Sequence, residues 1–167
     1  MSNCLFCKII AGEIPSYRVY EDRDFLAFLD INPLNLGHTL VVPKKHYPWV
    51  IDVPNFGQYW EIAGGIAKRL KESLKADSLN FVTLGYEIPH AHIHVIPRFK
   101  NDALGMTIDW TKRKKLTSEE LQKIATQLRG GGVSDAHISQ GQAGRIGRSS
   151  DQKIQEKSFT GRHSGDD

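Results

Sequence analysis

Cysteine, net charge and long apolar runs are all scarce in this sequence of 167 residues. Two cysteines are too few for a disulfide-rich scaffold. No run approaches the roughly 18 apolar residues of a membrane span, and a formal net charge of +3 is too small to indicate a nucleic-acid-binding protein. Internal repeats are absent. The ordinary composition, 40% hydrophobic and 25% charged, predicts a globular chain with one folded domain.

The two cysteines, Cys4 and Cys7, are separated by two residues. In a reducing compartment a structural disulfide between them is not expected. The pair is therefore a metal clip, a redox pair or a coincidence, and further ligands would have to be found to decide. The segment Met1–Cys4 lacks the basic and apolar regions of a signal peptide, so a cytoplasmic location is predicted.

Composition changes near Arg129. Residues 1–129 hold all three tryptophans, whereas residues 130–167 hold one aromatic side chain, Phe159, and eight of the 15 glycines. Such a segment cannot bury enough apolar surface to offset the entropy of ordering it. The sequence therefore predicts a domain over 1–129 and a mobile, low-complexity tail over 130–167.

Hydrophobic periods within residues 1–129 alternate between those of strands and helices. Strands are predicted at 17–21, 25–30, 38–43, 79–84 and 90–99, with a hairpin turn at 22–24 and a loop at 31–37. A long helix is predicted over 54–76, and a last helix runs from the capping box at 117–120 to Gly130. This arrangement of strand meanders with separate helices indicates an α+β fold with an antiparallel sheet.

The long helix is predicted to bury one apolar stripe. Gly64 and Gly65 lie inside it, and each costs about 1 kcal/mol of helix stability relative to Ala, which predicts close packing against another backbone there. The stripe comprises Phe56, Trp60, Ala63, Ile66, Leu70 and Leu74.

Three histidines alternate along the predicted last strand, at positions 90, 92 and 94. Their side chains share one face, because neighbouring residues of a strand point in opposite directions. Neighbours on that face are about 6.6–6.8 Å apart, so the three imidazoles cannot all touch one phosphorus atom. His92, in the middle, is the natural nucleophile if a carbonyl or polar neighbour holds its second ring nitrogen as a donor. His94 would bind phosphate oxygens or pass a proton to the leaving group.

Two other interpretations of this run are open. A single inward histidine is usually structural, although burying three without partners would be costly. A strand that binds only a metal is the second alternative, since His-x-His is also a metal pattern.

The run His90-Ala91-His92-Ile93-His94-Val95-Ile96 resembles the signature of the histidine-triad (HIT) superfamily of nucleotide hydrolases and transferases. The resemblance covers about residues 4–100 and excludes the tail. Segments 4–10 (CLFCKII) and 12–16 (GEIPS) are similar to the opening of bacterial members. Segments 25–31 (FLAFLDI) and 37–46 (GHTLVVPKKH) continue the match in order.

The resemblance implies an α+β fold with a five-stranded antiparallel sheet, one long helix and short helices, and a homodimer with a ten-stranded sheet. It implies a covalent nucleotide intermediate on His92. Asp30 matches the acidic residue that binds the ribose hydroxyls, although it could simply end a strand. His38 matches a histidine that packs near the triad in relatives and supports the middle imidazole, His92.

Other matched positions concern the nucleotide. Phe28, Leu29 and Ile31 match residues that line the base pocket, although apolar strand residues are more often plain core. Asn80 is a weaker match to an asparagine that contacts the nucleotide. The sequence departs from the family before the triad, because 85–89 is Gly-Tyr-Glu-Ile-Pro where many relatives have Gly-Gln and a small hydroxyl residue. Gly85 keeps its place, and Glu87 would repel a phosphate unless it is turned away, paired, or bonded to a basic leaving amine.

Bacterial relatives that begin with Cys-x-x-Cys hold a structural zinc ion. The matching positions here are Cys4, Cys7, His46 and His90. Two thiolates and two imidazoles form a closed tetrahedral site, which stabilises rather than catalyses.

The resemblance favours an enzyme of the nucleoside-phosphoramidase kind, which cleaves purine nucleoside monophosphates linked to amines. A dinucleoside polyphosphate hydrolase, a nucleotide-binding or interaction module with little turnover, and a nucleotidyl transferase are the alternatives. The basic run Lys112–Lys115 could contact nucleic acid, but such runs are more often solvated connectors.

Overall fold

The computed structural model describes residues 3–106 and 108–130. Except for Gly130, the predicted tail lies outside these residues. The described residues form three α-helices, five strands and one short 3₁₀ turn at Val50–Asp52. In chain order the elements are α1 (Leu5–Ile10), β1 (Arg18–Glu21), β2 (Phe25–Leu29), β3 (Thr39–Pro43), α2 (Phe56–Leu74), β4 (Ser78–Thr83), β5 (Ile93–Arg98) and α3 (Ser118–Gly130).

The five strands form one antiparallel sheet in the order β1-β2-β3-β5-β4, which confirms the predicted α+β class. The β1–β2 connection is the predicted hairpin. Its turn is held by the Asp22 carboxylate, which accepts the backbone N–H groups of Asp24 and Phe25 at 2.8 and 2.6 Å.

Helices α2 and α3 cover one face of the sheet and enclose the main core. Tyr59 anchors α2 to the sheet, because its buried hydroxyl donates to the Val41 carbonyl at 2.7 Å. The capping box of α3 is present: the Thr117 and Glu120 side chains each accept the other residue's backbone N–H.

The predicted stripe of α2 is partly wrong. Tyr59 and Ile62 are fully buried in the core, Phe56 is 44% exposed, and Trp60 is partly buried against the core. The Phe56 and Trp60 rings instead lie edge-on to each other, and Trp60 also contacts Phe81 on β4. The buried residues of α2 are Tyr59, Ile62, Ala63, Ile66, Ala67, Arg69 and Leu70.

The close packing predicted inside α2 is not made at Gly64 within the described chain. A Cβ placed on Gly64 would have no heavy atom within 4 Å, apart from its chain neighbours and the backbone of its own helix. This part of α2 therefore faces open space in a single chain.

Helix α1 covers the opposite face of the sheet and was not predicted. It has six residues and no side-chain cap at its N-terminus, so it lacks local start signals. Phe6 and Ile9 of α1 pack against a second apolar cluster formed by Leu26, Phe28, Leu40 and Val42. This face carries the histidines that the sequence singled out. None of the helices in residues 3–106 and 108–130 has the length and apolar character that a bilayer span requires.

Candidate active site

The histidine run begins before β5 rather than inside it. The strand starts at Ile93, whereas it was predicted from residue 90. The His90 and Ala91 N–H groups donate to the Ile88 and Tyr47 carbonyls instead of to a neighbouring strand. The predicted alternation of side chains is nevertheless present, because Ala91, Ile93 and Val95 lie in the main core.

The backbone next to His92 fixes its tautomer. Its Nδ1–H donates to the His90 carbonyl at 2.7 Å, so Nε2 carries the lone pair of a neutral ring. Burial is the largest influence on the ring and lowers the pKa of His92. His92 is therefore a neutral imidazole at pH 7, with its nucleophilic nitrogen on the side away from its own backbone.

His38 and His94 form a buried hydrogen-bonded pair. The Leu34 N–H donates to His38 Nδ1 at 3.2 Å, which requires the His38 proton to be on Nε2. That proton is donated to His94 Nδ1 across 2.9 Å, so His94 carries its own proton on Nε2. Burial lowers the pKa of His38 to about 4 and that of His94 to about 2, which keeps both rings neutral.

The last nitrogen of this chain, His94 Nε2, is buried and has no hydrogen-bond partner among the described residues. An unsatisfied buried donor is costly unless a ligand or water completes it. His94 lines a cavity of about 320 Å³, so the donor is positioned to serve a ligand there.

Apart from His38 and the four predicted metal ligands, the sequence predicts nine nucleotide-binding or catalytic residues. Seven of these nine line this cavity. Its walls are apolar at α1 and polar where β2 ends and where β5 begins. The seven are Phe28, Leu29, Asp30, Ile31, Glu87, His92 and His94.

The remaining two predicted residues do not line this cavity. Asn80 lies on β4, where its Oδ1 accepts a hydrogen bond from Arg98 at 2.9 Å. Gly85 lines a neighbouring cavity of about 480 Å³, and a Cβ at this position would overlap the Trp49 ring. Leu84 and Glu87 line both cavities, which therefore share a wall.

Asp30 is the polar centre of the cavity. Its Oδ1 accepts the Asn32 N–H at 2.8 Å, and its Oδ2 lies 3.7 Å from His38 Nδ1. A guanidinium nitrogen of Arg113 is 3.4 Å from the same oxygen. Asp30 thus follows the last residue of β2 and lies beside the histidine pair. Its Oδ2 makes only the two long contacts, to His38 and Arg113.

Arg113 and Trp110 belong to the site although neither was predicted as a site residue. Arg113 lines the cavity, and the Trp110 ring lies 5.1 Å from the His94 ring. Lys114 N–H fixes this segment by donating to the Pro33 carbonyl at 2.7 Å. The basic run is typical of a solvated connector, and a tryptophan two residues before it was the available signal that the segment packs against the fold.

The predicted metal ligands also lie together. Cys4 Sγ is 3.4 Å from His90 Nδ1, and Cys7 Sγ is 3.3 Å from His46 Nδ1 and 3.5 Å from His90 Nδ1. Around zinc, with sulfur at about 2.3 Å and nitrogen at about 2.0–2.1 Å, tetrahedral geometry separates S and N by about 3.5 Å.

The orientation of His90 fits the same use. Its Nε2–H donates to the Pro43 carbonyl at 2.8 Å, which leaves the Nδ1 lone pair facing the sulfur atoms. All four donor atoms lie within 4.8 Å of one another. The residues present therefore fit a closed tetrahedral site of two sulfur and two nitrogen ligands.

Comparison with known proteins identifies the family. The model of the HIT domain matches residues 11–101. This chain belongs to the HIT family. A HIT-like protein of Borreliella burgdorferi is 44% identical over 139 residues, which are 77% of this chain and 97% of that protein.

Two relatives of this HIT chain have names that state an activity. Adenosine 5'-monophosphoramidase HNT1 of Saccharomyces cerevisiae is 35% identical over 133 residues, covering 72% of this chain and 82% of the relative. Adenylylsulfatase HINT3 of Arabidopsis thaliana is 36% identical over 135 residues, covering 76% and 66%.

Solved HIT structures share the fold. A HIT-like protein of Bartonella henselae matches with a TM-score of 0.67 and 34% identity, covering 76% of this chain and 94% of that one. A zinc-bound histidine-triad protein of Mycobacterium smegmatis matches with a TM-score of 0.62 and 34% identity, covering 76% and 91%. These matches confirm the predicted HIT-like fold.

Proposed function

We propose that this HIT protein hydrolyses conjugates of adenosine or guanosine 5'-monophosphate, phosphoramidates foremost, with His92 as the nucleophile. The observation that carries the proposal is the hydrogen bond from His92 Nδ1 to the His90 carbonyl, at 2.7 Å. It provides a neutral imidazole with a nucleophilic Nε2 beside a cavity that also holds a carboxylate and apolar walls. The names of the two relatives support nucleotide hydrolysis as the general class of reaction.

The proposed reaction has two steps. His92 Nε2 forms a bond to the α-phosphorus while the phosphorus–nitrogen bond breaks, and the amine takes a proton from water as it departs. Water then attacks the same phosphorus, the bond to His92 breaks, and the nucleoside monophosphate is released. His94 Nε2–H donates to a phosphate oxygen, and His38 keeps the proton on that nitrogen.

The rest of the cavity binds the nucleoside in this proposal. Asp30 accepts the ribose hydroxyls with the oxygen that has only long contacts. Phe28, Leu29 and Ile31 contact the base, and Glu87 accepts a hydrogen bond from a basic leaving amine. Asn80 and Gly85 have no part because neither lines the cavity.

Adenylyl sulfate is a second candidate substrate, favoured by the adenylylsulfatase among the relatives. It shares the adenylyl group and would form the same intermediate, so it differs only in the leaving group. Dinucleoside polyphosphates belong to the same set.

The deciding experiment compares the wild type with His92→Ala on adenosine phosphoramidate, adenylyl sulfate and a dinucleoside polyphosphate. We expect turnover of the phosphoramidate to vanish in His92→Ala while AMP still binds. Brief mixing with substrate followed by mass spectrometry should detect the adenylyl group on His92 in the wild type. A wild type that binds AMP but hydrolyses none of the three substrates contradicts the proposed activity and leaves a binding role.

We also propose that Cys4, Cys7, His46 and His90 hold a structural zinc ion. The S–N separations and the His90–Pro43 hydrogen bond support this assignment. The ion would join α1, the segment after β3 and the start of the histidine run. With four protein ligands it would stabilise the fold, because no coordination position is open to water.

A homodimer with a ten-stranded sheet is the proposed assembly. Strand β4 is an edge of the sheet, and Phe81 on it is 41% exposed. Phe56 is 44% exposed beside it, and the space next to Gly64 is open. An edge strand flanked by exposed aromatic side chains is a surface that pairing with a second copy would cover.

A further inference from the structure

The charges that line the nucleotide cavity do not suit an anionic ligand without help. Asp30 and Glu87 contribute two carboxylates to its lining. Arg113 is the single Lys or Arg side chain among the described lining residues. A phosphate therefore meets one cation in this cavity, and that cation is the residue to which its charge is attracted.

Arg113 is in place but is only loosely held by the carboxylate. Its NH1 donates to the Asn32 carbonyl at 2.7 Å, whereas its distance to Asp30 Oδ2 is 3.4 Å. The guanidinium also lies over the Trp110 ring, at 5.6 Å from the ring centre. The side chain is 39% exposed, so part of it can turn without opening the core.

The group that a phosphate would approach is close to this arginine. Ring nitrogens of His38 and His94 and a carboxylate oxygen of Asp30 lie within 4.8 Å of one another. Trp110 connects the two sides, because its ring contacts both the His94 ring and the Arg113 guanidinium. Arg113, Asp30 and His94 therefore lie in one group of contacting side chains that lines the same cavity.

We propose that Arg113 is a phosphate-binding residue that exchanges partners when the nucleotide enters. In the empty cavity its guanidinium neutralises Asp30; when the ribose hydroxyls bind that carboxylate, the guanidinium turns to the phosphate oxygens. Its planar fork can then bind two of these oxygens while His94 donates to a third atom of the phosphoryl group. This inference rests on the proposed function and adds the residue that supplies positive charge to it.

The test separates the phosphate from the nucleoside by comparing AMP with adenosine. Calorimetry at low salt would measure both ligands on the wild type, Arg113→Gln, Arg113→Lys and the control Lys112→Gln. Lys112 is the adjacent cation, and it donates to the Ala103 carbonyl without lining the cavity. Equal thermal midpoints in the four proteins would establish that the substitutions leave the fold intact.

We expect Arg113→Gln to bind AMP about tenfold more weakly, since a charge-assisted hydrogen bond is lost. Adenosine affinity should be unchanged or higher, because no guanidinium has to leave Asp30. Arg113→Lys should retain part of the AMP affinity, and Lys112→Gln should retain all of it.

Equal weakening of AMP and adenosine would overturn the proposal, because Arg113 would then act on the ribose through Asp30. Unchanged affinity for both ligands would also overturn it. A wild type that binds neither ligand would instead refute the nucleotide site itself, and with it this role of Arg113. Calorimetry reads binding alone, so a protein that binds AMP as expected but is catalytically inert would contradict the proposed function and leave the Arg113 inference standing.

Discussion

At the scale of single residues, the buried neutral imidazoles of His38 and His94 make the stability of the folded protein sensitive to acid. In the unfolded chain His38 binds a proton near its ordinary pKa of 6.5, whereas burial lowers its pKa in the folded protein to about 4. The unfolded state therefore binds more protons between these values, and stability is lost as the pH falls through them. Above the ordinary pKa this contribution is complete and constant.

We expect the free energy of unfolding of the wild type to fall by about 2 kcal/mol more than that of His38→Gln between about pH 6.5 and pH 5. Urea titrations at several pH values would measure both proteins. The comparison cancels the titrating groups that are remote from His38, because both proteins share them; His94, which contacts His38, is not among these groups. Parallel pH profiles would show that His38 does not resist protonation in the folded state.

Gly85 supports a second prediction at this scale. Its Cβ would overlap the Trp49 ring, so in Gly85→Ala either that ring or the loop that leads to His90 must shift. We expect a loss of about 1–3 kcal/mol in stability and a lower turnover. Gly57→Ala is the matched control because open space surrounds Gly57 in α2. Equal stability of the two variants in urea would contradict the tight contact with Trp49.

The elements differ in how far the sequence predicts them. Helix α3 is specified locally, since Thr117 and Glu120 form its capping box. Helix α1 is not, because its six residues are fixed by the burial of Phe6 and Ile9 against the sheet. The start of β5 is likewise decided by a distant carbonyl, that of Tyr47, which no local pattern reveals.

The candidate site shows the same division. Alternation along the chain predicts that the side chains of His92 and His94 share a face. The hydrogen bond of His92 is also local, because its acceptor is the carbonyl of His90, two residues earlier. The approach of Trp110 and Arg113 depends on contacts across the fold, and neither hydrophobic period nor spacing contains that information.

A prediction for α1 follows from its short length. A six-residue helix is not stable by itself, so the proposed zinc ion should contribute to holding it in place. We expect a metal chelator to lower the thermal midpoint and to speed amide hydrogen exchange in α1, with a smaller effect in β4. Cys4→Ser should reproduce both effects and reduce the zinc measured by mass spectrometry. Purified wild type without zinc, and a chelator without effect on α1, would contradict the proposed site.

At the scale of the whole molecule, the proposed dimer depends on β4, an edge strand of the sheet. Phe81 lies on that edge and contacts Trp60, so a charge there should disrupt a paired sheet. We expect the wild type to sediment at about twice the chain mass of 18.8 kDa and Phe81→Lys at the monomer mass. Met106→Lys is the control because Met106 is fully exposed on a different segment. A wild type that sediments at the monomer mass would contradict the proposed dimer.

His90 contributes to both proposed sites, the metal site and the nucleotide site. Its ring faces Cys4 and Cys7, while its backbone carbonyl holds the Nδ1–H of His92. An ion bound through that ring would therefore be linked, through one residue, to the hydrogen bond that orients the proposed nucleophile. Ion binding and nucleotide binding then form one thermodynamic cycle. If the ion increases the affinity for nucleotide by some factor, bound nucleotide increases the affinity for the ion by the same factor.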